Sequence, residues 1–154
     1  MNLNAHWIVG FTDGEGCFHV GIAHHPEMTL GVQVLPELSI VQHMRDVQVL
    51  HALKAFFGCG VVRTNHGDRM CWRVRKLEHL NQIIIPFFEK HPLKTRKQQD
   101  FLVFRDVVAL MGDGSHLTLE GLDRIRKLIG RLSTKEATHQ QGKVQPSVKS
   151  DGSN

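Results

Sequence analysis

No apolar run in this chain approaches the roughly 18 residues that a membrane-spanning helix needs. The opening residues, Met1-Asn2-Leu3-Asn4-Ala5, lack a basic segment ahead of an apolar one, so they do not read as a secretory signal. The three cysteines, Cys17, Cys59 and Cys71, are an odd number and form no C-x-x-C pair. They read as reduced, mostly structural thiols in a reducing compartment. A zinc site combining them with some of the eleven histidines would lack paired ligand spacing. These absences exclude membrane and secreted readings. They leave an expected intracellular protein, with organelle and bacterial or archaeal cytoplasm not distinguished.

What is present is an ordinary globular composition. The chain has 154 residues, 41% hydrophobic and 22% charged, which suits one domain with a real core. The net charge of +4 and pI near 9.2 permit a phosphate-rich partner without requiring one, so the placement of the charge must decide.

Asn4 to Asp13 reads as a helix capped by Asn4, with Trp7, Ile8 and Phe11 at helical spacing. Gly14-Glu15-Gly16 breaks it. Cys17 to His25 alternates as a strand up to Pro26. Leu30 to Gln42 is a second strand whose Pro36 points to an edge position or a bulge. Arg45 to Phe57 is helical, and Val61–Asn65 and Arg69–Arg75 form a hairpin around His66-Gly67-Asp68. Three helices follow: Leu77–Phe88 interrupted at Pro86, Thr95–Met111, and a last one capped by Thr118. The polar stretch 133–154 reads as a disordered tail after a domain over 1–132. The order predicts an α+β fold: one antiparallel four-stranded sheet with helices on one face and the other face open.

On that open face fall His19, Gln33, Glu37, Ser39, Arg63, Asn65, Arg69, Arg73 and Arg75, with Gly21, Ala23, Leu35, Val41 and Cys71 between them. These side chains suit DNA base edges: Arg toward guanine, Gln and Asn toward adenine, Glu toward cytosine. An ordinary solvated sheet face would also be polar, and patterning alone leaves both readings open. Glu15 is sharper. An acid at the C-terminal end of a helix sits against an already negative dipole, beside unpaired carbonyls, and such oxygens suit Mg²⁺. A glycine-rich helix end with a solvent-facing acid is the plain alternative.

Ile8-Val9-Gly10-Phe11-Thr12-Asp13-Gly14-Glu15-Gly16 resembles the motif of the LAGLIDADG homing endonucleases. Three further landmarks follow in order: Pro36 to Gln42, Phe57-Gly58-Cys59-Gly60, and Pro92 to Lys97 with Asp100-Phe101. The resemblance covers roughly residues 5–130. It implies the family's αββαββα core, whose sheet forms a DNA-binding saddle in a two-fold homodimer. It also implies site-specific, metal-dependent cleavage of both strands of a long, near-palindromic DNA target.

Residue by residue, the resemblance implies that Glu15 binds the divalent metal with the Gly14 carbonyl as second ligand. The ion would be Mg²⁺, with Mn²⁺ or Ca²⁺ able to substitute in binding. Gln42 would orient hydrolytic water, and Arg96 or Lys97, with Lys97 preferred, would polarise the water shell or stabilise phosphorane charge. Gly10 and Gly14 would let two motif helices pack closely, with Ile8 and Phe11 filling that interface or the domain core. Asp13 looks structural rather than metal-binding.

Leu35, Gly21 and Ala23 depart from a polar reading face, which implies readout there through water or shape. Ala109 to Gly114 superficially repeats the motif, but no alternating strand follows it. One motif implies a homodimer on double-stranded DNA, with neither a membrane nor a small-molecule substrate as partner. The competing readings are a catalytically inactive DNA- or RNA-binding relative (a maturase or regulator) and, more weakly, a structural dimerisation domain.

Overall fold

The computed structural model describes residues 1–133; the expected tail lies almost wholly outside them. Helix α1 (Ala5–Glu15) is started by Asn4, whose side chain accepts the Trp7 N–H at 2.9 Å. That bond satisfies one of the orphan donors of a helix start. The helix runs two residues past the expected break, because Gly16 and not Gly14 ends it. A Cβ at Gly16 would lie 2.7 Å from the Thr12 side chain and 2.8 Å from its carbonyl, so only glycine lets the chain turn there.

Strands β1 (Gly16–His24) and β2 (Val32–His43) pair antiparallel, as do β2 with β4 (Arg69–Val74) and β4 with β3 (Val61–His66). The sheet order is β1-β2-β4-β3. Pro36 is explained by the register. Strand β4 covers β2 only from Leu38 to His43, so at Pro36 the strand has β1 alone as neighbour and is locally an edge. A two-residue turn at Gly67-Asp68 joins β3 to β4, with a register shift between Thr64 and His66.

Period-two alternation sends Phe18, Val20, Val34, Leu38, Ile40, Trp72 and Val74 into the core. Helix α2 (Val47–Phe57) packs on β4, β3 and β2; α5 (Lys97–Gly112) packs on β1 and β2. Between the helices and β1, the Phe18 ring contacts Phe88, Phe101 and Phe104 at centroid distances of 5.2–5.6 Å. Each buried ring of this kind contributes about 2–3 kcal/mol. Trp72 stacks on Phe57, and its indole N–H donates to the Cys59 carbonyl at 3.1 Å. Gly60 turns there at φ +87, where a Cβ would overlap the Trp72 ring.

Leu77 to Lys90 is one helical stretch: α3 (Leu77–His79), a π-helical turn (Leu80–Ile84) and α4 (Ile85–Lys90). The π turn stands just before Pro86, whose missing N–H leaves the ordinary helical ladder incomplete. Helix α6 (Leu119–Ile129) is capped by the Thr118 hydroxyl, which accepts the Gly121 N–H at 3.0 Å. It buries Leu122 and Ile125 against the core. Among the described residues no helix is long and apolar enough to cross a membrane.

Candidate active site and nucleic-acid interface

The C-terminal end of α1 is where distant parts of the chain converge. Glu15 is its last residue and is exposed. Gly14 before it is also exposed, with nothing within 4 Å of a built Cβ. Lys97 opens α5, and its ammonium donates to the Gly16 carbonyl. A cation at this negative helix end is favourable. Arg96, one residue earlier, donates from Nε to the Ser133 hydroxyl at 3.4 Å.

Asp13 holds this arrangement. Its carboxylate accepts the Lys94 N–H at 2.9 Å, the Thr95 N–H at 3.1 Å and the Thr95 hydroxyl at 2.7 Å. The Thr95 hydroxyl oxygen in turn accepts the Lys97 N–H at 3.2 Å. Burial works to raise the Asp13 pKa. The hydrogen bonds from Thr95 and Lys94 and the Lys97 charge outweigh it and hold the carboxyl below its ordinary range. Asp13 is thus a structural clamp, as its place in the motif implied. Its partner Thr95 was the part that sequence reasoning missed, and a hydroxyl two residues before a helix was the available signal.

The register brings Gln42 to the same end of the sheet. Gly16 pairs with Ile40, so Gln42 stands level with the last turn of α1, half-buried at the end of β2. Glu15, Gln42 and Lys97 are therefore brought to one end of the sheet, and Arg96 stands next to them with its Nε on Ser133. A cavity of about 600 Å³ opens beside Lys97, lined by Asp13, Gly16, Cys17, Thr95, Arg96 and Lys97 among others. Among the described residues no three His, Cys, Asp or Glu side chains form a metal cluster. One carboxylate with an adjacent accessible carbonyl is the donor set this chain offers. It fits a hard cation that keeps several waters and shares phosphate oxygens.

The predicted open face is present, ordered in cross-strand rows. Nearest α1, Val41 faces Cys71, which faces Arg63; the next row is Cys17, Ser39, Arg73 and Val61. His19 and Glu37 come next, then Gly21 with Leu35 and Ala23 with Gln33. His43 pairs with Arg69, and the His43 Nε2 lies 2.8 Å from the Asp68 carboxylate. A cavity of about 390 Å³ on this face is lined by Ser39, Arg63, Asn65 and Arg73, among others. The Arg73 Nε is buried there without a partner.

One residue departs from expectation, and Cys71 takes the structural place expected of the thiols. Glu37, read as a cytosine contact, accepts from Arg75 Nε at 2.6 Å, so the carboxylate is already engaged. Cys71 is only 5% exposed, and burial chiefly pushes its thiol pKa up, with Glu37 adding, so it serves as an apolar floor. Of the two places the resemblance allows Ile8, interface or domain core, it occupies the chain's own core, 0% exposed. Gly10, Gly14 and half-buried Phe11 do remain accessible, and Phe11 stacks with the exposed Trp7 at 4.6 Å.

A family model described as "LAGLIDADG endonuclease" matches residues 8–108. The crystal structure of the homing endonuclease I-TnaI is similar at 51% identity and a TM-score of 0.86, covering 92% of this chain and 95% of that one. I-SmaMI, solved bound to an uncleaved DNA target in the presence of calcium ions, is 30% identical with a TM-score of 0.81. That match covers 84% of this chain and 45% of that chain. "Probable intron-encoded endonuclease 2" of Neurospora crassa is 37% identical over 80% of this chain. The chain spans only 28% of the length of that fungal relative.

Proposed function

The chain belongs to the LAGLIDADG endonuclease family, and from that premise we propose that it is a site-specific homing endonuclease acting as a homodimer on double-stranded DNA. The observation that supports this best is the Lys97 ammonium bound to the Gly16 carbonyl beside exposed Glu15, at the edge of an arginine-bearing sheet face. A pure binding protein needs neither a carboxylate nor a lysine held at a helix end.

In this reading Glu15 and the Gly14 carbonyl hold a divalent ion, Mg²⁺ in the cell. Held by Glu15 and the Gly14 carbonyl, such an ion would supply Lewis acidity and favour ionisation of water. Gln42 orients the attacking water from the end of β2. Lys97 offers positive charge where the phosphorane becomes more negative. In the hydrolysis the water oxygen bonds to phosphorus, the P–O3′ bond breaks, and the departing 3′ oxygen takes up a proton. The face residues His19, Gln33, Ser39, Arg63, Asn65, Arg69, Arg73 and Arg75 contact the duplex, with Glu37 orienting Arg75.

One chain supplies one such centre, and cutting two strands needs two. The exposed α1 surface with Gly10, Phe11 and Gly14 supports a second copy packed there by close helix approach. Two copies double the formal charge of +4, which favours the phosphate backbone.

The test begins with selecting cleavable sites from a randomised duplex pool. The proposal expects a near-palindromic consensus, cut on both strands only with a divalent ion. Binding without cleavage under every divalent ion would favour the inactive-relative reading.

A further inference from the structure

On the proposed DNA face one cross-strand row holds no hydrogen-bonding side chain. Gly21 of β1 and Leu35 of β2 are direct partners. Leu35 is 38% exposed, although the other outward residues of β2 around it, Gln33 and Glu37, are polar. A Cβ at Gly21 would stand 3.5 Å from His19 Nε2 and 3.9 Å from the Leu35 Cβ, so the His19 imidazole borders one side of Leu35 while the leucine itself stays open outward. Strand β4 ends opposite Leu38, so this row lies on a two-stranded ribbon, the shape that enters a major groove. The major groove shows only one apolar feature that distinguishes base pairs, the C5-methyl of thymine. The exposed Leu35 side chain can neither donate nor accept, so its own contact can discriminate through that methyl alone.

We propose that Leu35 is a specificity-determining residue that packs on a thymine methyl in each half-site. The inference rests on the proposed DNA-cleaving function and adds a base to it. Its place follows from strand rise. Gly21 is six residues from Glu15, which at 3.4 Å per residue puts the row at most about six base pairs out from the cut.

The experiment measures binding of the full chain to its selected target, with each outer thymine replaced in turn by deoxyuridine, which lacks only the methyl. The expected result is one symmetric pair of thymines at which methyl loss weakens binding about fourfold per half-site, the worth of one buried methyl-sized group. Leu35→Ala should bind the thymine target that much more weakly and be indifferent to deoxyuridine there. Wild-type indifference at every outer thymine overturns the proposal. So does a methyl preference that survives in Leu35→Ala, or a selected target with no thymine in that segment. Failure to bind any unmodified duplex appears before deoxyuridine is used and overturns the function itself, and this inference with it.

Discussion

Asp13 and Thr95 join the end of α1 to the start of α5 across 82 residues of sequence, through a 2.7 Å hydroxyl bond and a 3.1 Å N–H bond to one carboxylate oxygen. The pairing places Lys97 beside Glu15, so one fastening organises both the fold and the centre proposed to cut DNA.

Removing that fastening should cost stability and show a particular pH dependence. Asp13→Asn should lose about 1–2 kcal/mol at neutral pH, the worth of a lost cap and its charge-assisted bonds. Because the folded carboxyl titrates below its ordinary 3.8, its contribution is present above that value and is lost as pH falls through the lower folded one. Denaturant unfolding of both proteins should therefore show a gap at pH 7 that closes below about pH 4. A gap that widens in acid would contradict the assignment.

The two kinds of glycine in the motif should fail differently. Gly10→Leu meets open space within the chain. It should leave the fold intact while lowering the sedimentation mass from dimer to monomer. Gly16→Ala drives a methyl onto Thr12 and should cost about 1–3 kcal/mol of stability. An unchanged mass for Gly10→Leu would count against the α1 interface.

Neighbouring basic residues at the start of α5 should separate sharply. Lys97→Ala should lower the cleavage rate by about 10²–10³, as loss of a transition-state charge contact does, with DNA affinity little changed. Arg96→Ala, turned toward Ser133, should retain most activity. Single-turnover rates on the selected target decide the matter, and equal losses would return Arg96 to the centre.

How much of this was legible varies with the range of the interaction. The α1 cap, the alternation of β1 and the open face follow from local periodicity, so the sequence predicted them. The choice between Arg96 and Lys97 was not local. Successive residues at a helix start point about 100° apart, so one residue of register decides which reaches Gly16. The choice of core over interface for Ile8 follows from helical spacing: it shares a face with buried Thr12, opposite Gly10 and Gly14. The Glu37–Arg75 pair joins β2 to the residue just past the end of β4, and no local pattern announces it. The π turn before Pro86 likewise depends on how Leu80 and Ile84 are packed.

Base readout should be localised. Arg73→Ala should cost about 1–3 kcal/mol of binding and relax preference at one position per half-site. Profiling the variant on single-base variants of the target checks this. A uniform loss across all variants would mark a phosphate contact instead.

The central claim, that exposed Glu15 is the metal-binding carboxylate of a DNA-cutting dimer, is tested most directly by one comparison. Wild type and Glu15→Gln are incubated with plasmid bearing the selected target in Mg²⁺, and their binding to the same duplex is measured in parallel. The account predicts linear product from the wild type, and from Glu15→Gln full binding with no linear or nicked product. Continued cutting by Glu15→Gln would contradict it.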